Sequence, residues 1–428
     1  MNKLYFPDFI PQLAVEIPDE DGSLLGYLAI DSTFSGKCCG GIRMGADVTD
    51  REIKGLAHAM SRKFAFMNMP IGGAKSGILC PDDADRSERT RRLEIFGRKL
   101  APVLSGIYAT GGDIGVGPED VEIVKRAAGL PVQRHPGTFR GGYYTAFGVY
   151  VNIMTWMEYS GFRARDVTVL VQGYGKVGRP LARLLTDSGV RIVGVSTSAG
   201  AIYDSDGLDV TRLEGLQKLC GDACVIEYGH ADFGPPDTLF NHPATVAVPG
   251  ARAWSINEIN VGNMKFDAVI SAANIPITPL ATAELEKLGT IVVPDYVSNS
   301  AGILACSLLK QGFTEEMVTN VVTQIYSDRL KDLLTMHDES GLSLGVIAER
   351  WCRRNLEQLT ETRGSKSAWL RARLREDKGW SRIAERAALE LYFGTGRILG
   401  GSKLPLDFLQ RRAVKAVYHR AVRPIGRL

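Results

Sequence analysis

Val167–Leu185 reads VTVLVQGYGKVGRPLARLL. A five-residue β-type run leads into Gly173-x-Gly175-x-x-Gly178, after which apolar residues recur at helical spacing. The first glycine permits a tight turn, the second lets a pyrophosphate approach the backbone, and the third lets helix and strand pack closely. The helix that follows would present its amide hydrogens and positive dipole end to the phosphates. The bland alternative is a glycine-rich turn that binds nothing, but the strand–turn–helix context favours a dinucleotide. The expected contacts are Gly173, Tyr174, Gly175, Lys176, Val177 and Gly178. An acid about 20 residues further on commonly holds the adenosine ribose. Here the next strand run, RIVGV, ends in Ser196-Thr197-Ser198. Ser196 and Thr197 fall at the ribose position, with no carboxylate to repel a 2′-phosphate and no arginine to grip one. NAD and NADP therefore both stay open.

Around this motif, short β-rich runs at 167–171, 190–195, 245–248, 267–270 and 290–293 alternate with helical or loop segments. That pattern predicts a parallel sheet with helices on both faces, a doubly wound Rossmann-type domain over 145–300. Upstream, QLAVEI and LLGYLAI read as strands, and 50–67 and 84–104 as helices. VYVNIMTWMEYSG is helical, ends in glycine and reads as a hinge element. Residues 302–362 are mostly helical. The expected fold class is α/β, with a second α/β domain over 1–140.

A chain of 428 residues accommodates two domains, and 45% hydrophobic with 23% charged residues is an ordinary globular composition. The N-terminal MNKLYFPDFIPQLAVEIPDEDG lacks the apolar run of a signal peptide, and no stretch is long and apolar enough to span a membrane. A cytoplasmic protein with no membrane partner is expected. The seven cysteines form no CxxC pairs and no metal-ligand spacing, so they read as small neutral thiols, with no metal site. The net charge of +3 conceals a basic segment from Arg363 onward, while acids outnumber bases before it. Apolar residues there (Trp369, Leu370, Leu374, Trp380, Ile383, Leu389, Leu391, Phe393) recur at roughly helical spacing. They predict helices packed on the body or on a neighbouring subunit, ahead of a nucleic-acid arm.

MSRKFAFMNMPIGGAKSGI places Lys63 and Lys75 twelve residues apart, Lys75 in a glycine-rich loop. ATGGDIGVG puts Asp113 in a similar loop. Desolvation and a neighbouring cation can make a lysine a usable base, and a carboxylate serves a developing ammonium. The bland reading is two surface lysines and an aspartate capping a helix near Pro118.

Together, GGIRM, MSRKFAFMNMPIGGAKSGI, GGDIGVG, YTAFGVY, VQGYGKVG, SAANIPIT and PDYVSNSAGI resemble the glutamate/leucine/phenylalanine/valine dehydrogenases, in family order from about Leu24 to about Arg363. The resemblance implies reversible oxidative deamination of an L-amino acid to a 2-oxo acid and ammonia, with NAD or NADP as cofactor, in a homo-oligomer. It implies that Lys63 pairs with the α-carboxylate, that Lys75 activates water and that Asp113 shuttles protons. Thr145, Ala273 and Asn274 would lie near the nicotinamide and its ribose. Gly40 and Asn299 would line the substrate site. The family architecture would join the helices of 305–362 to the first domain, close a cleft between the domains, and leave 363–428 as a basic helical extension with no family counterpart.

Departures from the family bear on substrate choice. The lysine that binds a glutamate side chain in the family is Cys39 here, and a serine that assists it is Cys306. Gly111, at a position that is often alanine, leaves room, and Ile303 is a wall. A neutral, bulky apolar substrate is therefore expected. Lys37, two residues before Cys39, keeps open a glutamate dehydrogenase with an altered anchor. A non-catalytic nucleotide-binding relative with a docking tail is the third reading. Ser76 replaces a family glycine beside Lys75.

Overall fold

In the computed structural model, which describes residues 8–132, 140–310 and 312–361, the first two apolar runs pair as antiparallel strands. These are β1 (Leu13–Pro18) and β2 (Leu24–Ile30). They are followed by β3 (Cys38–Gly45), α1 (Asp50–Phe66), β4 (Gly72–Leu79), α2 (Arg86–Leu104), β5 (Tyr108–Gly112) and α3 (Pro118–Ala127). The strands order as β1-β2-β4-β3-β5, with β3 parallel to both β4 and β5. α1 and α2 begin where side chains satisfy open amides: Thr49 accepts from Glu52 N, and Asp85 from Glu88 N. One sheet face buries Ile42, Ile78 and Tyr108 against Leu93, Phe96 and Val124 of α2 and α3. α1 crosses the other. A Cβ on Gly73 would lie 2.1 Å from Ser61 N, so only glycine lets this helix come so close.

Two segments expected as glycine-rich loops are strands. β4 carries Lys75 in mid-strand, and β5 ends one residue before Asp113. Small residues give no apolar alternation to read, yet they are what lets a helix lie flat on the sheet. Asp113 caps no helix. The N-cap of α3 is Gly117, whose amide donates to Asp120.

The described residues from 140 onward form a second unit. It runs α4 (Gly141–Tyr159), β6 (Thr168–Gln172), α5 (Gly178–Asp187), β7 (Arg191–Thr197), β8 (Gly200–Tyr203), α6 (Val210–Cys220), α7 (Cys224–Glu227) and β9 (Asp232–Gly234). Then come β10 (Val246–Val248), β11 (Ala268–Ile270), α8 (Pro279–Lys287), β12 (Ile291–Val293), α9 (Asp295–Ser298), α10 (Ala301–Lys310), α11 (Glu315–Ser340) and α12 (Leu344–Glu361). The sheet order is β12-β11-β10-β6-β7-β8-β9. From β12 to β7 every pairing is parallel, and the chain reverses its direction of winding between β6 and β10. The five predicted β runs form this parallel part. β8 and β9 are antiparallel additions, because the link from β7 to β8 is only Ser198-Ala199, too short for a crossover.

α4 starts earlier than its apolar run suggests and is buried along Tyr144, Phe147, Val151 and Trp156. α10 and α11 pack on it: a Cβ on Gly148 would lie 2.5 Å from Ala301 Cβ. The helices from 301 onward thus group with the dinucleotide-type sheet, not with the N-terminal unit to which 305–362 was expected to belong. The basic extension from Arg363 lies outside the described residues. Among the described residues no helix is long and apolar enough to cross a membrane.

Candidate active site and dinucleotide cradle

Strand alternation sorts the GKCCGGIR stretch into two faces. Cys38 points into the core, where burial pushes its thiol up to about 11. Cys39, Gly41 and Arg43 point the other way. A Cβ on Gly41 would lie 3.1 Å from Asp113 Cβ and 3.4 Å from Lys75 Nζ, which identifies this face as the one carrying the lysine and the aspartate. Lys75 Nζ lies 2.7 Å from Asp113 Oδ2, and Arg43 Nε lies 3.2 Å from the same oxygen. Lys75 is 3% exposed. Burial opposes ionisation of Asp113, but Lys75 and Arg43 override it and hold the carboxyl well below the usual range. Arg43 also bonds Glu52 of α1, whose carboxyl burial pushes up and Arg43 only partly restrains. Lys63 is buried on the last turn of α1, the helix laid across this face.

Gly111 pairs with Gly41, and a Cβ there would meet nothing within 4 Å. Gly40, in contrast, does not belong to the site surface. Its missing Cβ would sit 1.6 Å from Ala74 O, so it allows close packing in the sheet, and the residue beneath the charged pair is Gly41. Ser76 also faces the core. Its hydroxyl shares a 2.9 Å hydrogen bond with buried Tyr108, whose own hydroxyl lies 3.3 Å from Gly41 O. Lys37 turns its ammonium to Gly106 O.

In the second unit each motif glycine occupies a distinct situation. Gly173 has φ +86°, a turn conformation that side chains resist. Gly175 has open space where its side chain would be. A Cβ on Gly178 would lie 2.0 Å from Gly173 O. α5 begins after Val177 with no side-chain cap; Arg179 N donates to Gly175 O and Pro180 carries no amide hydrogen, so it is the positive end of the helix and not a row of open amides that faces an anion. The glycine turn lies at the point of reversal between β6 and β10, since a Cβ on Gly173 would lie 3.0 Å from Gly250 O. Tyr174 does not line this cradle. Its ring is 1% exposed, and its amide, like that of Gly173, donates to Ser196 O. Ser196 therefore braces the turn from behind. Lys176 is exposed, with its carbonyl against Gly142. Thr197 Oγ1 donates to Asp222 O at 2.7 Å.

The SAANIPIT and SNSAGI motifs bond to each other. Asn299 Nδ2 donates to Ala273 O at 2.8 Å and approaches Asn274 Oδ1 at 3.3 Å. Asn299 Oδ1 is buried with no partner. Ile275 holds φ 45°, unusual for a β-branched residue, and its amide is tied to Asp295. Thr145 bonds back to Gly141 O on the first turn of α4, and α10 crosses it at Gly302. Ile303 and Cys306 share the half-buried side of α10, away from its core side of Ala301, Leu304 and Leu308. The cradle thus fits a dinucleotide: an open glycine for the phosphates, an uncapped helix start, and an orphaned buried acceptor on Asn299. Among the described residues no group of His, Cys, Asp or Glu could hold a metal.

Sequence reasoning missed Arg43, Gly41 and Glu52. Arg43 lies within GGIRM, and alternation from Cys39 would have found it had the stretch been read as a strand.

Comparisons with known proteins cover both units. The family model described as "Glutamate/Leucine/Phenylalanine/Valine dehydrogenase" matches residues 140–364, and "Glu/Leu/Phe/Val dehydrogenase, dimerisation domain" matches 7–128. The chain is 28% identical over 364 residues to the NADP-specific glutamate dehydrogenase A1 of Halobacterium salinarum, covering 80% of this chain and 87% of that one. It is also 28% identical over 312 residues to an NAD-specific glutamate dehydrogenase of Staphylococcus aureus, covering 68% and 74%. A hetero-hexameric glutamate dehydrogenase from Thermus thermophilus, solved in a leucine-bound form, superposes with a TM-score of 0.70 at 25% identity, covering 83% of this chain and 90% of that chain.

Proposed function

The chain belongs to the glutamate/leucine/phenylalanine/valine dehydrogenase family, an NAD(P)-dependent amino acid dehydrogenase, and from that premise we propose that its substrate is an L-amino acid with a neutral, bulky apolar side chain. The observation that carries this is Cys39, an uncharged thiol on the strand face that also carries Lys75 and Asp113. Leaving a substrate side-chain carboxylate unpaired there would cost several kcal/mol. The open space at Gly111, paired with Gly41 in the same sheet, supports the same choice. The altered-anchor reading needs Lys37, whose ammonium points to Gly106 O. The glutamate reading otherwise rests on the names of the relatives.

In this mechanism Lys63 pairs with the substrate α-carboxylate. Asp113, ionised between two cations, takes a proton from the substrate ammonium so that the amino nitrogen lone pair becomes available. Bound NAD(P)+ supplies a hydride acceptor for the Cα hydrogen. Lys75, once it has lost its own proton to solvent, takes a proton from water as the water oxygen attacks the imine carbon. Asp113 returns a proton to nitrogen, and as the C–N bond breaks and ammonia leaves, the carbinolamine hydroxyl gives its proton back to the Asp113 carboxylate, giving the 2-oxo acid. Arg43 positions Asp113 and keeps it charged. Gly175, the start of α5 and Asn299 would hold the cofactor.

Self-assembly through the first unit belongs to the same reading. β1 is an edge strand whose Leu13 and Val15 are 41% and 38% exposed.

The test is absorbance at the reduced-nicotinamide band with a panel of L-amino acids and each cofactor. Turnover should be best on branched or aromatic side chains and at least about tenfold poorer on glutamate. Glutamate as best substrate would overturn the pocket reading, and no turnover on any amino acid would overturn the enzymatic one.

A further inference from the structure

The ribose end of the dinucleotide cradle looks neutral along the chain but is acidic in space. β7 ends at Thr197, where the sequence offers no carboxylate. Thr197 Oγ1, however, is bonded to the backbone carbonyl of Asp222, in the helical turn Gly221–Ala223 between α6 and α7. The Asp222 carboxylate accepts a hydrogen bond from Ser198 Oγ, one residue beyond the end of β7. Asp222 and Ser198 are both exposed, so the carboxylate faces solvent where an adenosine ribose would sit. Two bonds from consecutive residues thus fasten an acid from a different element onto the end of the strand.

We propose that Asp222 supplies the ribose-reading carboxylate absent from β7 and makes the enzyme prefer NAD over NADP. This deepens the dehydrogenase reading and rests on it. A carboxylate there accepts from the ribose 2′-hydroxyl and opposes a 2′-phosphate through like charge. Relatives of equal identity are named NAD-specific and NADP-specific, so likeness does not decide the matter. The opposing group is Arg179 on the first turn of α5, a cation in the same region of the cradle. Its guanidinium is bonded to Gln217 of α6, which turns it from an incoming phosphate. Thr197 acts here as a clamp, its hydroxyl holding the Asp222 peptide instead of contacting ribose.

The experiment titrates the full-length protein with NADH and with NADPH, followed by nicotinamide fluorescence, so that it needs no turnover. The wild type should bind NADH at least ~10-fold more tightly, the scale of an unfavourable like-charge contact. Asp222→Asn, nearly isosteric, should bring the two affinities within about threefold, mainly by tightening NADPH. Adding Thr197→Asp to that variant returns a carboxylate to the strand and should restore the preference. Tighter NADPH binding by the wild type, or an unchanged ratio in Asp222→Asn, would overturn the proposal, and so would binding of neither nucleotide. NADH-selective binding without turnover on any amino acid would support it while overturning the functional reading alone.

Discussion

Asp113 lies between Lys75 and Arg43, and both cations favour its ionised form. Arg43→Gln removes one of them while keeping a hydrogen-bond donor. The Asp113 carboxyl should then move back toward its ordinary value, so the acidic limb of the kcat/KM pH profile should shift to higher pH. Activity at neutral pH should fall roughly 100-fold, the lower range for a positioned acid–base group. An unmoved acidic limb would mean that Arg43 is only structural. Specificity also belongs to this scale. Cys39→Lys with Cys306→Ser places a cation on β3 and a hydroxyl on α10 in place of two thiols. The double variant should gain glutamate turnover and lose at least about tenfold on apolar substrates. A panel assay showing no gain on glutamate would count against Cys39 as the reader of the side chain.

At the scale of elements, the glycines of β3, β4 and β5 divide into those that hold strands and helices together and those beside which the space is open. Gly40→Ala would put a methyl 1.6 Å from Ala74 O and force the two strands apart. A loss of about 3 kcal/mol in unfolding free energy is expected, read from the denaturant midpoint. Gly111→Ala meets no atom, so stability should stay within about 0.5 kcal/mol of wild type. Its effect should instead be a KM that rises with the bulk of the substrate. If both variants were equally destabilised, this division would be wrong. The same glycines explain what could be read in advance. VTVLV, RIVGV and the apolar stripes of α1 and α2 announce themselves by periodicity. CCGGIRMG and GGAKSGIL are strands without that signal, because their job is close approach. Motif spacing still located Lys75 and Asp113 there, but not the face they share with Arg43, which depends on alternation along a strand. Gly40 and Tyr174 were misplaced for the same reason, since being next to a functional residue in a strand or turn puts a side chain on the opposite side.

For the molecule as a whole, two domains and the Rossmann motif were legible because length, motif order and alternating β and helical runs are properties of the linear chain. The grouping of α10–α12 with the second unit was not, since it follows from what buries α4. Contacts distant in sequence likewise set the response of the first unit to pH. Arg91 of α2 grips Asp19, just after β1, through two bonds of 2.8 and 2.9 Å, and ties the β1–β2 hairpin to the helix. That hydrogen-bonded guanidinium, working against burial, lowers the Asp19 carboxyl from 3.8 to about 2. A carboxyl depressed in the folded state contributes fully above its ordinary value, and the contribution disappears as pH falls through the folded one. The window is therefore about pH 4 to 2. Arg91 is 41% exposed, so solvent screening limits the contribution to about 1–2 kcal/mol at neutral pH. Asp19→Asn should cost that amount at pH 7, and the gap to wild type should narrow below pH 4 and nearly close by pH 2. Denaturant midpoints taken across this range test it. A gap that stays constant with pH would show that the pair acts through packing and not through its charge.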